Sequence, residues 1–218
     1  GDQNVAIGQN SLDSNTEGQK NVAIGFKALC TNTTADQVVA VGCGALISNT
    51  TGANNVAVGS LSLEGTTTGS DNTAAGPASG LSLTTGSNNL LLGHDAGRSN
   101  SPNTVTTGSD RIVLGNNSIT NAYIRVDWTV TSDLRDKMNI EPISHGLDFV
   151  NQLNPIKFNF KKSRENATSH GRKKYGFKAQ DILALEGEDN VIIDNEDPNS
   201  LKYIGSHLVP VLVNAIKE

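Results

Sequence analysis

The chain has 218 residues, a net charge of −5, 36% hydrophobic residues and only 4% aromatic ones. That length allows one large domain or two small ones. The shortage of large side chains excludes a conventional core of interlocked Leu and Phe over much of it. The mild negative charge gives no reason to expect a nucleic-acid partner, and no apolar run approaches the roughly 20 residues of a membrane span. The 22 glycines follow no Gly-X-Y period, which excludes collagen. No signal peptide is visible. Met138 is the only methionine, Gly1 enters directly into a repeat and Ile216-Lys217-Glu218 stops in mid-helix, so the chain is expected to be a piece of a longer protein.

From the start, one unit recurs. NVAIG at 4–8 returns as NVAIG (21–25), VVAVG (38–42), NVAVG (55–59), NTAAG (72–76), NLLLG (89–93) and RIVLG (111–115). The closing glycines are 17 residues apart five times and then 22, the last gap holding an insertion around SNSPNTVTT with Pro102. A fixed short period means that each unit stacks on the one before it. A second short segment (Ser11-Leu12, Ala28-Leu29, Ala45-Leu46, Ser62-Leu63) and an Asn/Thr/Gly-rich turn follow each VAIG. Two strands and two turns in 17 residues predict one coil of a β-solenoid, with coils stacked about 4.8 Å apart. Helix is excluded by the richness in Gly, Asn, Thr and Val and by the missing 3.6-residue period. Asn4, Asn21, Asn55, Asn72 and Asn89 are expected to form a ladder of amides bonded between coils.

Both faces of each strand are apolar, so alternation alone leaves the inward side open. The larger columns (Val5, Val22, Val39, Val56 and Ile7, Ile24, Val41, Val58) are expected to fill the coil. The alanine column (Ala6, Ala23, Ala40, Ala57, Ala74) is then expected outside, as a stripe along which chains associate. Unit five, with Pro77, is the weakest. Cys30 and Cys43 sit at non-equivalent positions and read as free small hydrophobes of a protein made in a reducing cytosol. The sequons at Asn32, Asn49, Asn116 and Asn166 read as turn chemistry rather than glycosylation sites.

VAIG units with Asn-rich turns resemble the head repeats of trimeric autotransporter adhesins and the shaft repeats of phage tail fibres. The resemblance implies left-handed β-rolls packed as homotrimers. An intertwined triple β-helix is the competing geometry.

After about Val126 the repeat vanishes and the charge density doubles. Ser144–Asn154 reads as a helix ended by Pro155, PIKFNFKK as a strand, and YGFKAQDILALE as extended and then helical. VIIDN and LKYIG read as short strands. Ser206–Glu218 reads as an amphipathic helix capped by Ser206, with Pro210 tolerable only in its first turn and Leu208, Leu212 and Ile216 on one face. The run from Lys157 to Lys178 carries eight bases against Glu165, with Phe158, Phe160 and Tyr175 interleaved. It reads as a hairpin with solvated lysines and aromatics turned into the core. His94, His145, His170 and His207 form no ligand-spaced cluster, and no cofactor is implied.

SDLRDKMNI (132–140, pattern SDxRxKxNI), the L-x-P-x-x-F-x-F segment at 153–160, YGFKAQDI at 175–182 and the HLVPVLVNAIKE terminus occur in order. Together they resemble the intramolecular chaperone domain first named for phage endosialidases. That self-cleaving peptidase family is found at the C-termini of tail spikes, tail fibres and neck appendages, with relatives in the myelin regulatory factor. The resemblance implies cleavage at Thr131–Ser132, with Ser132 as nucleophile and Lys137 as its dyad partner. A serine hydroxyl needs a base, and a lysine serves as one only if burial or a neighbouring cation such as Arg135 lowers its pKa. Asp133 is expected to orient the site or pair with Arg135. Positions i and i+5 share neither a helix face nor a strand face. Ser132 and Lys137 therefore meet only if the chain bends or a second chain supplies one partner.

The expectation is a mainly β protein with a smaller α+β C-terminal domain. A trimeric solenoid shaft occupies 1–125, a linker with the cleavage site 126–131 and a chaperone domain with a C-terminal helix 132–218. It is expected to serve as the distal part of a phage tail fibre or appendage, assembled in the host cytoplasm. The full fibre would meet a host surface receptor, a glycan or outer-membrane component, with no nucleic-acid partner and no membrane insertion. The one activity expected is a single-turnover serine endopeptidase acting on itself. The alternatives are a non-cleaving adhesin or stalk, and a glycan-cleaving spike whose catalytic domain lies upstream, since the solenoid lacks clustered carboxylates.

Overall fold

The computed structural model describes residues 1–98, 104–162, 164–188 and 190–218. The chain divides into two compact units, one of Gly1–Thr120 with Lys162–Asn166 and one of Asn121–Lys161 with Ala167–Glu218.

The first unit is a β-solenoid. Strands β1 (Val5–Ile7), β2 (Val22–Ile24), β3 (Val39–Val41), β4 (Val56–Val58), β5 (Thr73–Ala75), β6 (Leu90–Leu92) and β7 (Ile112–Leu114) form one parallel sheet in sequence order. Val5 pairs with Val22, Val22 with Val39, and so on, and Leu90 pairs with Ile112, so the longer gap before β7 leaves the register intact. Residues 99–103 of the insertion, including Pro102, lie outside the described residues. After them the coil resumes, with the Thr84 amide donating to the Thr106 carbonyl at 2.7 Å. A glycine closes each strand because only glycine fits: Gly25 has φ +132°, and a Cβ there would lie 2.6 Å from the Gly42 oxygen of the next coil.

The inward side of the strands is the reverse of the expected one. Ala23, Ala40, Ala57 and Ala74 are 0% exposed and line the interior, while Val5, Ile7, Ile24 and Val58 are exposed. The reason is volume. Leu29, Leu46 and Leu63 enter the coil from the opposite corner and are fully buried, leaving room for no more than a methyl group from the strand. These leucines adopt φ of 52°, 51° and 52°. That left-handed conformation costs roughly 1–2 kcal/mol each, against about 1.5–3 kcal/mol from burying the side chain. It also makes the second segment of each unit a run of turns instead of the expected second strand.

Two later coils show the same arithmetic inverted. Gly80 and Gly97 replace the corner leucine, and Leu91 replaces the strand alanine. A Cβ on Gly80 would lie 2.5 Å from the Leu63 side chain and 2.8 Å from that of Leu91, and one on Gly97 would lie 3.1 Å from Leu91, so at Gly97 and Leu91 the large residue has moved from one wall to the other.

Asparagines satisfy the interior polar groups. The Asn89 amide donates to Asn72 Oδ1 at 2.9 Å, and that of Asn72 to Asn55 Oδ1 at 3.1 Å. Each amide also reaches a turn carbonyl such as Gly86 or Gly108. Val38 takes the ladder position between Asn21 and Asn55, and its own amide donates to Asn21 Oδ1 at 2.9 Å. A second ladder runs through Asn15, Asn32 and Asn49. It ends at Thr66, whose hydroxyl donates to the Leu83 carbonyl and leaves Asn49 Oδ1 without a partner. Asn32 and Asn49, two of the sequon residues, are thus buried structural groups.

In the second unit, α1 (Leu147–Gln152) precedes the antiparallel hairpin β8 (Ile156–Lys161) and β9 (Ser169–Gly176). Then come α2 (Ala179–Glu186), the strand pair β10 (Ile193–Asp194) and β11 (Lys202–Tyr203), and α3 (Gly205–Lys217). Phe149, Ile182, Ile192, Ile193, Leu208 and Val211 form its core. Glu186 is buried at the end of α2 and accepts the amides of Val191, Ile192 and Ile193 at 2.6–3.1 Å. One carboxylate thereby fixes the chain leading into β10.

Three local expectations change here. Helix α3 starts at Gly205 with Ile204 as its cap, so Ser206 lies inside it and Pro210 in its second turn. Its buried face is Leu208, Val211 and Ala215, while Leu212 and Ile216 are exposed with Val209 and Val213. The hairpin aromatics do not all enter the core, since Phe160 and Tyr175 are exposed. Two strands alone have no second layer to bury them against.

Candidate active site

The segment from Asn121 to Thr131 is exposed and contains no strand or helix, and Ile124, Val126, Trp128 and Val130 alternate along it with Arg125, Asp127 and Thr129. At its end the chain folds tightly. Asp133 is extended (φ −67°, ψ 138°) and caps a single 3₁₀ turn, Leu134–Asp136, by accepting the Arg135 amide at 2.9 Å. Asp is well suited there, because its short carboxylate reaches an amide two residues on. The turn closes through Asp136 N–H to the Asp133 carbonyl (3.1 Å) and Lys137 N–H to that of Leu134 (3.2 Å).

This turn brings Ser132 and Lys137 together: the Lys137 Nζ donates to Ser132 Oγ at 2.8 Å. Of the two ways for residues i and i+5 to meet, a bend within the chain is the one realised in this single chain. The turn is braced from its outer side. Arg135 grips the Asp133 carboxylate through Nε (3.0 Å) and Nη2 (2.6 Å), a forked charge-assisted pair. The guanidinium holds the Asp133 carboxyl below its ordinary pKa, helped by the Arg135 amide, and the carboxylate in turn raises that of Arg135. With its charge matched by Asp133, Arg135 is not the free cation beside Lys137 that the sequence suggested. Beyond Lys137, Asn139 takes a left-handed conformation (φ 53°) and redirects the chain.

Ser132 and Lys137 are both exposed in the single chain, as is Thr131. Among the described residues nothing donates a hydrogen bond to the Thr131 carbonyl. The arrangement therefore holds a hydroxyl, an amine and the adjoining peptide bond in one short turn, open to solvent. Among the described residues no group of three or more His, Cys, Asp or Glu could hold a metal ion, and no helix is long and apolar enough to cross a membrane. Glu186 escaped the sequence reading. It sits in the acidic run EGED, where the sequence does not set it apart from the other acids.

A family model described as the chaperone of endosialidase, a peptidase family, matches residues 132–192. The matched stretch opens on Ser132 and runs through the turn, the hairpin and α2 to the residues held by Glu186. No curated protein and no solved structure matches the chain.

Proposed function

We propose that residues 132–218 are an intramolecular chaperone that joins three copies of the chain, sets the register of the solenoid shaft (1–125) and then detaches by cutting Thr131–Ser132 in the linker 126–131. The observation that carries this reading is the coincidence of two boundaries. The chaperone-family match begins at Ser132, the same residue whose Oγ lies 2.8 Å from the Lys137 amine.

The chemistry follows from the turn. Ser132 Oγ attacks the carbonyl carbon of Thr131 through a five-membered ring, and Lys137 in its neutral form takes the hydroxyl proton. The C–N bond breaks, the proton passes to the leaving Ser132 amine, and Thr131 is held as an ester on Oγ. Water then hydrolyses that ester, so one water is consumed per cut. Asp133 and Arg135 keep the turn closed. A lysine in open water is an ammonium, which donates to Oγ and takes nothing from it. Covering the turn with a neighbouring copy would disfavour the charged form and start the reaction, so cleavage follows assembly.

Association draws support from surfaces that the single chain leaves uncovered. The outward Val and Ile columns form an apolar ladder along β1–β4, and Val209, Val213 and Ile216 form a second apolar face on α3. Patches of this kind mark interfaces. The ladder, and not the alanine column, is the face along which shafts would associate. The resemblance to the endosialidase chaperone implies trimers and phage tail appendages, so the reading extends to a homotrimeric tail fibre on a virion, with a host receptor contacted by the longer fibre. Nearly identical coils can pair one step out of register at little cost, and a C-terminal clamp removes that freedom.

The test is to express the wild-type chain beside Ser132→Ala and separate both on a denaturing gel. Two fragments from wild type and one band from the variant support the reading. One band from both, with folded trimers in each, leaves a shaft with a trimerising cap and no peptidase.

A further inference from the structure

The eleven residues before the reacting turn, 121–131, do not have the composition of a spacer. They hold no Gly, Pro or Ser, and seven of them are Thr, Val, Ile, Tyr or Trp. Flexible spacers are rich in Gly and Ser, whereas these residue types favour strands. The alternation is strict from Ile124 to Thr131: Ile124, Val126, Trp128 and Val130 share one face, and Arg125, Asp127, Thr129 and Thr131 the other. Period two over eight residues is the pattern of a strand with one buried face. The single chain gives that strand neither a cover nor a partner. Trp128 is 73% and Val130 79% exposed, and among the described residues the backbone of 122–131 makes no hydrogen bond.

We infer that residues 122–131 of the three copies proposed above pair with one another as parallel strands, Trp128 inward, and that this pairing releases the cut at Thr131–Ser132. The inference rests on the trimeric, self-cleaving reading and names the element by which the turn senses assembly. A second copy is the occupant that the observations select. Copies related by an axis bring identical segments together running in the same direction, so the backbone groups left open in one match those of the next. The segment is neutral, and its one base and one acid, Arg125 and Asp127, become diagonal neighbours on adjacent strands. In sequence it continues the apolar face proposed for the shafts, which ends at the exposed Ile112 and Leu114 of β7. Four apolar side chains per copy then leave water, and the paired stretch ends at the scissile peptide. Trp128 is a positioning residue in this scheme: it orders the strand that holds Thr131 extended and touches no reacting atom.

Trp128 is the only tryptophan, so its fluorescence reports this segment alone. In the full chain with Ser132→Ala, which keeps the segment joined, trimer isolated by gel filtration is expected to show at least about threefold weaker acrylamide quenching than the same chain unfolded in guanidinium. Contact between copies is read separately, in Ser132→Ala chains that also carry Cys30→Ser, Cys43→Ser and Val126→Cys. These are expected to give disulfide-linked dimers on mild oxidation. In the cleavable chain, Val126→Pro removes a ladder donor and Trp128→Ser removes the bulk of the inward face. Each is expected to slow the cut at least about tenfold while trimers still form through the C-terminal unit, and Trp128→Phe to stay within about threefold of wild type. Tyr123→Ser, which removes an exposed aromatic from the outer face, is expected to leave the rate unchanged.

A Trp128 quenched in the trimer as fully as in the unfolded chain would overturn the pairing. Shielding without cross-linked dimers would place the segment on its own copy and overturn the exchange between copies. Shielding and cross-links with an unaltered cut in Val126→Pro and Trp128→Ser would overturn the release of the cut by pairing. A monomeric parent would overturn the trimeric reading, and a wild-type chain that is never cut the self-cleaving one. Gel filtration and a denaturing gel show either before any spectrum is taken.

Discussion

The solenoid and the C-terminal unit handle the same shortage of large side chains in different ways. In the solenoid each coil finishes its neighbour: the Asn72 amide meets Asn55, the Leu29 amide meets the Ala45 carbonyl, and alanines facing corner leucines fill a thin interior. The C-terminal unit has no repeat to lean on. It closes a core of six buried residues and leaves Val209, Val213, Ile216, Phe160 and Tyr175 outside. One region is self-sufficient along its axis and incomplete only on one face. The other is incomplete on several, as the proposed role of gathering copies of itself requires.

Changing the reacting turn should give the largest effect. Lys137→Met removes the amine while keeping much of the bulk, and cleavage is expected to slow by about 10²–10⁴-fold in a time course followed by gel. In the same turn the Asp133 clasp responds to pH. Its carboxyl is held below the ordinary value, so the clasp is fully present above the ordinary carboxylate range and is lost as pH falls through the lowered value. Cleavage is therefore expected to fall as the clasp opens at acid pH, in a time course followed by gel. A rate that does not fall as the clasp is lost would remove Asp133 from its bracing role.

Next in size is Glu186→Ala. It strands three amides in the C-terminal unit and is expected to destabilise it by about 3 kcal/mol, read from the denaturation midpoint of helix signal. The solenoid should be untouched, so a shift in its own transition would break the separation of the two regions drawn above.

Within the solenoid, Asn72→Val is expected to cost about 2 kcal/mol, since Asn89 N–H loses its acceptor and the Gly86 carbonyl its donor. Val38→Asn, the reverse change in the same column, should alter stability by less than about 1 kcal/mol, because new amide bonds offset lost apolar burial. Chemical denaturation of the two variants together tests whether the ladder or the apolar content holds the coils. Smallest for the single chain is Val58→Lys on the outward face. It should leave the coil folded and lower only the trimer fraction in sedimentation.

The sequence carries the solenoid openly where repetition does the work. The 17-residue spacing places the glycines, the strand register and the asparagine ladder. It does not say which face of VAI points inward, because alanine and valine are both apolar and the decision rests on leucines arriving from another wall. Gly97 and Leu91 make the point: they are intelligible only as a pair across the coil. In the second unit the order of helices and strands is legible, but the cap of α3 is not, since it is Ile204, two residues before Ser206. For the site, the i and i+5 spacing states that a bend is required. It does not show that Asp133 makes that bend, nor that Arg135 is spent on Asp133.

The central claim is that Ser132 and Lys137 cut the chain once, at one bond, after assembly. The most direct measurement is intact-mass spectrometry of freshly expressed wild type and Ser132→Ala, each under denaturing and native conditions. The account predicts masses for residues 1–131 and 132–218 from wild type, a whole chain from the variant, and trimers in the native spectra of both. A whole wild-type chain within a folded trimer, or a cut at any other bond, would contradict it.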